Sequence, residues 1–283
     1  MTKNLKTPLR YPGGKSRALT KLLKYLPQQK ITEYREMFLG GGSVALEMTK
    51  RLPNDVPIWV NDLYGPLYNF WIILRDNPVE LQRKLVELKS RYPDRGNAKG
   101  LFLDAKDIVN DGTKSDTERA IAFYILNKCS FSGLTESSSF SAQASDSNFS
   151  MRGILKLQDY SKLIQRWKIT NLDYSELASD DTYTFIYADP PYDIKDVLYG
   201  NKGSMHKGFD HARFADVMDA QLCNVMISYN DHPDIVQRFL DWCLYDYEHT
   251  YTMRSTGSYM SDQKKRRELI CTNYGNIGGA CIT

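Results

Sequence analysis

The chain has 283 residues, 42% of them hydrophobic and 25% charged, the composition of a folded protein with room for one large domain or two modest ones. No apolar run approaches the roughly 20 residues that span a bilayer, and the start, MTKNLKTPLRYPGGK, lacks an apolar signal core, so the expectation is no membrane and a cytoplasmic address. A net charge of +3, from 37 basic and 34 acidic residues, is too small to mark the whole surface for nucleic acid, and any phosphate contact must be a local patch. The five cysteines form no CxxC pair and no cluster with histidine, which argues against disulfides and structural zinc.

Residues 16–26 place leucines and Tyr25 at helical spacing and end at Pro27, which predicts a helix directly after Pro12-Gly13-Gly14-Lys15. A strand at 34–38, a glycine turn at 40–42, a helix at 43–52 and a strand at 57–60 ending in Asn61-Asp62 follow, the opening βαβ of a nucleotide-binding sheet. From Gly65 the pattern turns helical, most clearly at 79–88 and 117–126, with a serine-rich loop at 131–150. Strand-like runs return at 184–188, 224–228, 245–251 and 268–272, with helical segments at 211–222 and 233–242. The predicted architecture is an α/β, Rossmann-like sheet built from 1–64 and 166–283, interrupted by a mainly helical insertion at 65–165.

Asp189-Pro190-Pro191-Tyr192 stands directly after the apolar run 184–188. Two prolines cannot continue a strand ladder, so the chain leaves the sheet at its carboxyl edge, where open α/β sheets bind ligands. The exocyclic amine of a purine is a weak nucleophile, and hydrogen bonds accepted from its N–H groups concentrate lone-pair density on nitrogen. Asp189 supplies one acceptor and the Pro190 carbonyl, stiffened by Pro191, a second, while Tyr192 offers a ring on which an extruded base can stack. A sharp turn with an exposed tyrosine is the bland alternative for this tetrad alone. The glycines of Phe38-Leu39-Gly40-Gly41-Gly42-Ser43 allow close approach of a ligand, and Asp62, 22 residues beyond Gly40, has the spacing of an acid that binds ribose hydroxyls. Tyr11-Pro12-Gly13-Gly14-Lys15 lacks the spacing of an ATPase phosphate loop; alone it would read as a loop with a solvated lysine.

These motifs, with 127–134, Ile227-Ser228-Tyr229-Asn230-Asp231 and Glu268-Leu269-Ile270, occur in an order that resembles the Dam-type DNA adenine-N6 methyltransferases, the D12 class, almost end to end. The resemblance implies an S-adenosylmethionine-dependent enzyme that methylates adenine N6 at a defined site in double-stranded DNA. It places Tyr11, Gly14, Lys15, Phe38, Gly40, Gly42, Ser43, Asp62, Asp173, Tyr174 and Asp189 on the cofactor, and Asp189, Pro190, Pro191 and Tyr192 on the target base. No metal is required, because the sulfonium leaving group already supplies electrophilicity.

The target atom lies inside a stacked duplex, so the adenine must be flipped, and the insertion is the expected source of the DNA contacts that offset this. In the family an Asn-x-x-x-x-x-Gly-Leu stretch precedes a loop that enters DNA, and Asn127, Gly133 and Leu134 match it. Ser132, Thr135 and Phe140 or Phe149 are expected in that loop, with Arg152 from its far side. Members that read GATC have an arginine shortly after the leucine; here Thr135-Glu136-Ser137-Ser138-Ser139-Phe140 follows, so the resemblance does not extend to GATC. Arg254 and the run Lys264-Lys265-Arg266-Arg267 read as a phosphate clamp at a hairpin tip, or else as a solvated face. Two rivals remain, a methyltransferase acting on RNA or a protein amide and a DNA-binding scaffold without catalysis. The order of motifs and the Asp of the tetrad disfavour the first; Lys15, Asp62, Asp189 and Tyr192 disfavour the second. The expected partners are DNA and a cognate restriction endonuclease, and the expected state is a monomer or weak dimer.

Overall fold

A computed structural model describes residues 5–275 except 12, 94, 134, 136, 137, 193–207 and 250–265, and only the backbone of 95–97, 132, 248, 249 and 266. Seven strands form a single sheet: β1 (Glu33–Glu36), β2 (Ile58–Asn61), β3 (Trp167–Thr170), β4 (Thr184–Ala188), β5 (Asn224–Asn230), β6 (Cys243–His249) and β7 (Arg266–Thr272). Their order is β3-β2-β1-β4-β5-β7-β6; β1 to β5 run parallel, and β7 is antiparallel to both β5 and β6. β4 is buried at all five positions, as expected of a central strand covered on both faces.

The helices among the described residues are α1 (Leu19–Leu22), α2 (Ser43–Arg51), then α3 (Gly65–Asp76), α4 (Pro78–Arg91), α5 (Arg95–Ile108), α6 (Asp116–Cys129), α7 (Ala142–Asn148), α8 (Met151–Leu155) and α9 (Leu157–Ile164), all seven between β2 and β3, and finally α10 (His211–Asp219) and α11 (Pro233–Arg238). One sheet face, with Tyr34, Phe185, Tyr187, Met226 and Ile270, shares a continuous apolar core with α2 and the helices between β2 and β3. The opposite face, with Ile186, Val225, Ile227 and Leu269, packs on Phe214 and Met218 of α10 and Ile235 of α11. Burying the alternate residues of each strand on two such layers is the main source of stability.

Two predicted elements differ. The helix expected at 16–26 is broken into a 3-10 turn at Lys15–Arg17, the single turn of α1, and a second 3-10 turn at Leu23–Tyr25. The serine-rich loop contains α7, because Ser141 accepts a hydrogen bond from the N–H of Ala144 and caps its start; Ser150 caps α8 in the same way. Among the described residues no helix is long and apolar enough to cross a membrane.

Candidate active site

Three loops meet at the carboxyl edge, where β1, β2 and β4 end. After β1 the chain turns through Gly40 and Gly42, whose φ angles of 49° and 67° L side chains rarely adopt. A Cβ on Gly42 would lie 2.7 Å from the Trp71 ring, and one on Gly40 would lie 3.0 Å from the ring of Tyr11. The loop is thus clamped between two aromatic rings, and the Trp71 indole N–H donates to the Gly40 carbonyl at 3.1 Å. The N–H of Gly40 donates to Asp62 Oδ2 at 2.8 Å, and that of Tyr64 to Oδ1 at 3.0 Å. Burial outweighs these bonds and raises the Asp62 carboxyl to about 6.

Lys15 joins the amino-terminal loop to the end of β4. Its Nζ lies 2.7 and 2.8 Å from the two Asp189 oxygens, 2.8 Å from the Tyr192 hydroxyl and 3.0 Å from the Gly13 carbonyl. The Gly14 N–H donates to the Tyr11 carbonyl at 3.0 Å and closes the turn from which Lys15 projects. Lys15 is 2% exposed, the Asp189 side chain 21%. Burial raises Asp189 to about 6 against the pull of Lys15, and the charge of Glu268 adds to the rise. The Tyr192 ring stacks on Tyr229 at 6.1 Å and 29°, and the Tyr229 hydroxyl bonds His211 Nδ1. Glu36, at the end of β1, is buried and accepts from the Tyr34 hydroxyl at 2.6 Å; burial holds it well above the usual carboxylate range.

On the other side of the glycine loop, Asp173 caps the turn Tyr174–Leu177. Arg213 of α10 forks onto it at 2.9 and 3.1 Å, and this hydrogen bonding holds Asp173 down to about 2. Tyr174 packs against Phe38, Phe209 and Phe214. Its buried hydroxyl has no hydrogen-bond partner among the described residues, a vacancy that a ligand acceptor would fill. Ser43, also expected on the cofactor, is buried as the first residue of α2.

The residues expected on DNA separate into three groups. Asn127 and Thr135 are buried, against expectation. The Asn127 amide accepts from the N–H of Arg10 at 2.9 Å and donates to the Arg10 carbonyl at 2.6 Å, which makes it a strut under the amino-terminal loop rather than a group free to reach a base. Thr135, at a φ of 51° that strains a β-branched residue, lies against Tyr64. Phe149 is buried on Tyr124, and Phe140 is half-buried on Phe102. Arg152 is exposed on α8. Leu134, Arg254, Lys264 and Lys265 lie outside the described residues, as do the side chains of Ser132 and Arg266; of the basic run, Arg267 is exposed and stands 3.9 Å from Asp246.

Three residues of this region escape a reading by motif. Phe131 is 47% exposed, beside the buried strut. Lys128 is 9% exposed and sits over the Tyr124 ring, and burial with the charge of Arg10 lowers it to about 8. Arg10 donates to the Ser130 carbonyl at 3.0 Å. No described carboxylate pairs with Arg10 or Lys128. The available signal was adjacency, since Arg10 precedes Tyr11 and Lys128 follows Asn127.

A family model described as D12 class N6 adenine-specific DNA methyltransferase matches residues 11–253. The type II methyltransferase M1.LlaDCHI of Lactococcus lactis subsp. cremoris is 27% identical over 96% of this chain and 97% of its own length. The modification methylase StsI of Streptococcus sanguinis is 24% identical over 96% of this chain, which spans 43% of that protein. Among solved structures, a SAM-dependent O-methyltransferase from Thermotoga maritima aligns over 91% of this chain and 65% of its own with 10% identity and a TM-score of 0.35.

Proposed function

Because the chain belongs to the D12 class N6 adenine-specific DNA methyltransferases, we propose that it acts at a defined site in double-stranded DNA, on an adenine flipped into the pocket of Asp189, Pro190 and Tyr192. S-adenosylmethionine, when bound, supplies a methyl group already activated by a positive sulfur. The residues present fit it. The backbone of the glycine turn at 40–42, the remaining lone pairs of Asp62 and the Tyr174 hydroxyl, which has no partner among the described residues, suit an adenosine with an amino-acid tail and would hold it.

The observation that carries this reading is the three-way contact of Lys15 with Asp189 and Tyr192. A carboxylate oxygen has two lone pairs, so Asp189, fixed in direction by Lys15, retains an acceptor for an N6–H. The Pro190 carbonyl takes the second hydrogen, and Tyr192, backed by Tyr229, stacks the purine. On the DNA side, exposed Phe131 fits the step left open by the flipped base, and Arg10 and Lys128 fit phosphates, being cations without a counter-ion among the described residues. The names of the relatives extend the reading to a cognate restriction endonuclease that cuts the same sequence.

Methylation of a mixed-sequence duplex library by the purified protein and S-adenosylmethionine, read by sequencing that detects N6-methyladenine, is expected to give one sharp motif. Asp189→Ala is expected to lose at least a thousandfold in rate while still binding the cofactor. Near wild-type turnover in that variant would refute the assigned chemistry.

A further inference from the structure

Glu268 is 1% exposed on β7, and methyl transfer as described above makes no use of it. A carboxyl this deep is unfavourable unless something holds it, and the Tyr247 hydroxyl of β6 donates to it. Its neighbours show where it acts. Alternate residues of a strand share a face, and the registers place Glu36 and Tyr187 opposite each other, then Tyr187 with Met226, Ser228 with Ile270 and Asn230 with Glu268. Glu36, Tyr187, Ser228, Glu268 and Tyr247 therefore form one buried polar row on the face covered by the amino-terminal segment, and Asp189 continues it at the end of β4. Within it the Tyr187 hydroxyl lies 2.9 Å from Ser228 Oγ, and the Tyr247 hydroxyl meets Glu268. Among the described residues the cations over it are Lys15, on Asp189, and Lys21, whose Nζ stands 5.2 Å from the Tyr247 ring.

We propose that Glu268 is a positioning residue for the transfer, acting through Asp189 across two strand spacings, about 10 Å of buried protein. In the reaction the N6 lone pair forms the N–C bond, the C–S pair stays on sulfur, and one N–H proton leaves to solvent. An acceptor of higher proton affinity polarises the N–H bonds more strongly. The buried negative charge on Glu268 raises that affinity at Asp189, opposing Lys15, which lowers it. Tyr247 keeps the Glu268 carboxyl oriented. This inference rests on the role given to Asp189 above.

The test is Glu268→Gln, which keeps shape and removes charge, with Tyr247→Phe as a milder variant. In the ligand-free protein, the 13C carboxyl titration of Asp189 is expected to move its midpoint down by about half a pH unit or more in Glu268→Gln, and less in Tyr247→Phe. With duplex DNA and saturating S-adenosylmethionine, the acid limb of the single-turnover rate is expected to move the same way. Its plateau should fall severalfold, while cofactor affinity changes by less than twofold. An Asp189 midpoint identical in all three proteins overturns the inference, as does a rate loss equal at every pH, which marks a merely structural role. If the wild-type protein methylates no DNA, the functional reading fails on its own, and the titration still decides whether Glu268 governs Asp189.

Discussion

The three ammonium hydrogens of Lys15 meet three acceptors, the Gly13 carbonyl, the Asp189 carboxylate and the Tyr192 hydroxyl. A buried pair of this kind contributes less than its Coulomb energy suggests, because both ions lost their water, yet removing one partner strands the other. Lys15→Ala is therefore expected to destabilise the fold by about 3 kcal/mol, the low end for a broken buried pair because Asp189 keeps some solvent, or roughly 5–10 °C in Tm. Adding Asp189→Ala removes the stranded charge and is expected to restore most of that loss. A double variant that melts as low as the sum of the two single losses would show that the two residues do not act as a pair. Both single variants are expected to be inactive, but for different reasons, so only the melting experiment distinguishes them.

The glycine loop, α2 and the tetrad were legible because each is a local pattern: a turn that needs glycine, a periodic helix, two prolines after an apolar run. What the sequence hid lies between elements. Trp71, far along the chain from the glycine loop it clamps, reads as one more apolar residue of α3, and Arg213 gives no sign that it reaches Asp173. β3 escaped notice because, although Trp-Lys-Ile-Thr alternates and Trp167 and Ile169 are buried, four residues directly after the helical stretch are too short a run to stand out. The amino-terminal segment shows the same division. Its motif was readable, but its anchoring was not, because that depends on Asn127 holding both polar groups of the Arg10 peptide from α6. Asn127→Ala leaves that N–H and carbonyl unpaired and is expected to remove about 2–3 kcal/mol. The loosened loop carries Tyr11 and Lys15, so hydrogen exchange at residues 7–15 should rise at least tenfold, and cofactor affinity should fall with it. Unchanged exchange there, alongside a lower Tm, would make Asn127 a packing residue only.

Taken as one body, the protein gathers acids where burial is deepest. Glu36, Asp62 and Asp189 end three adjacent strands, and burial raises the proton affinity of each, to about 6 for Asp62 and Asp189 and well above the usual carboxylate range for Glu36. An acid whose folded pKa exceeds its unfolded value near 4 binds more protons in the native state, so its contribution is complete below about pH 4 and is lost as pH rises through its folded value. Asp173 works in the opposite sense: held near 2 by Arg213, it adds stability as pH rises from 2 to 4 and changes nothing above. Between pH 5 and 8 the raised acids ionise and lower stability, by about 1–2 kcal/mol across that window for Asp62 alone, whereas Lys128, lowered to about 8, begins to add stability only toward its upper end. In the reading proposed above, that loss is the cost of keeping acceptors charged for a ribose and an amine, a trade of stability for function. Thermal melts of the ligand-free protein are therefore expected to show Tm declining by several degrees from pH 5 to 8, where many proteins are near their optimum. Asp62→Asn, whatever constant offset it introduces at the Gly40 and Tyr64 N–H groups, removes one titrating group and is expected to flatten the decline. A wild-type Tm that rises across this range, or an Asp62→Asn curve parallel to the wild type, would mean that these carboxyls are solvated in the native state, and that the carboxyl edge is open to water before any ligand arrives.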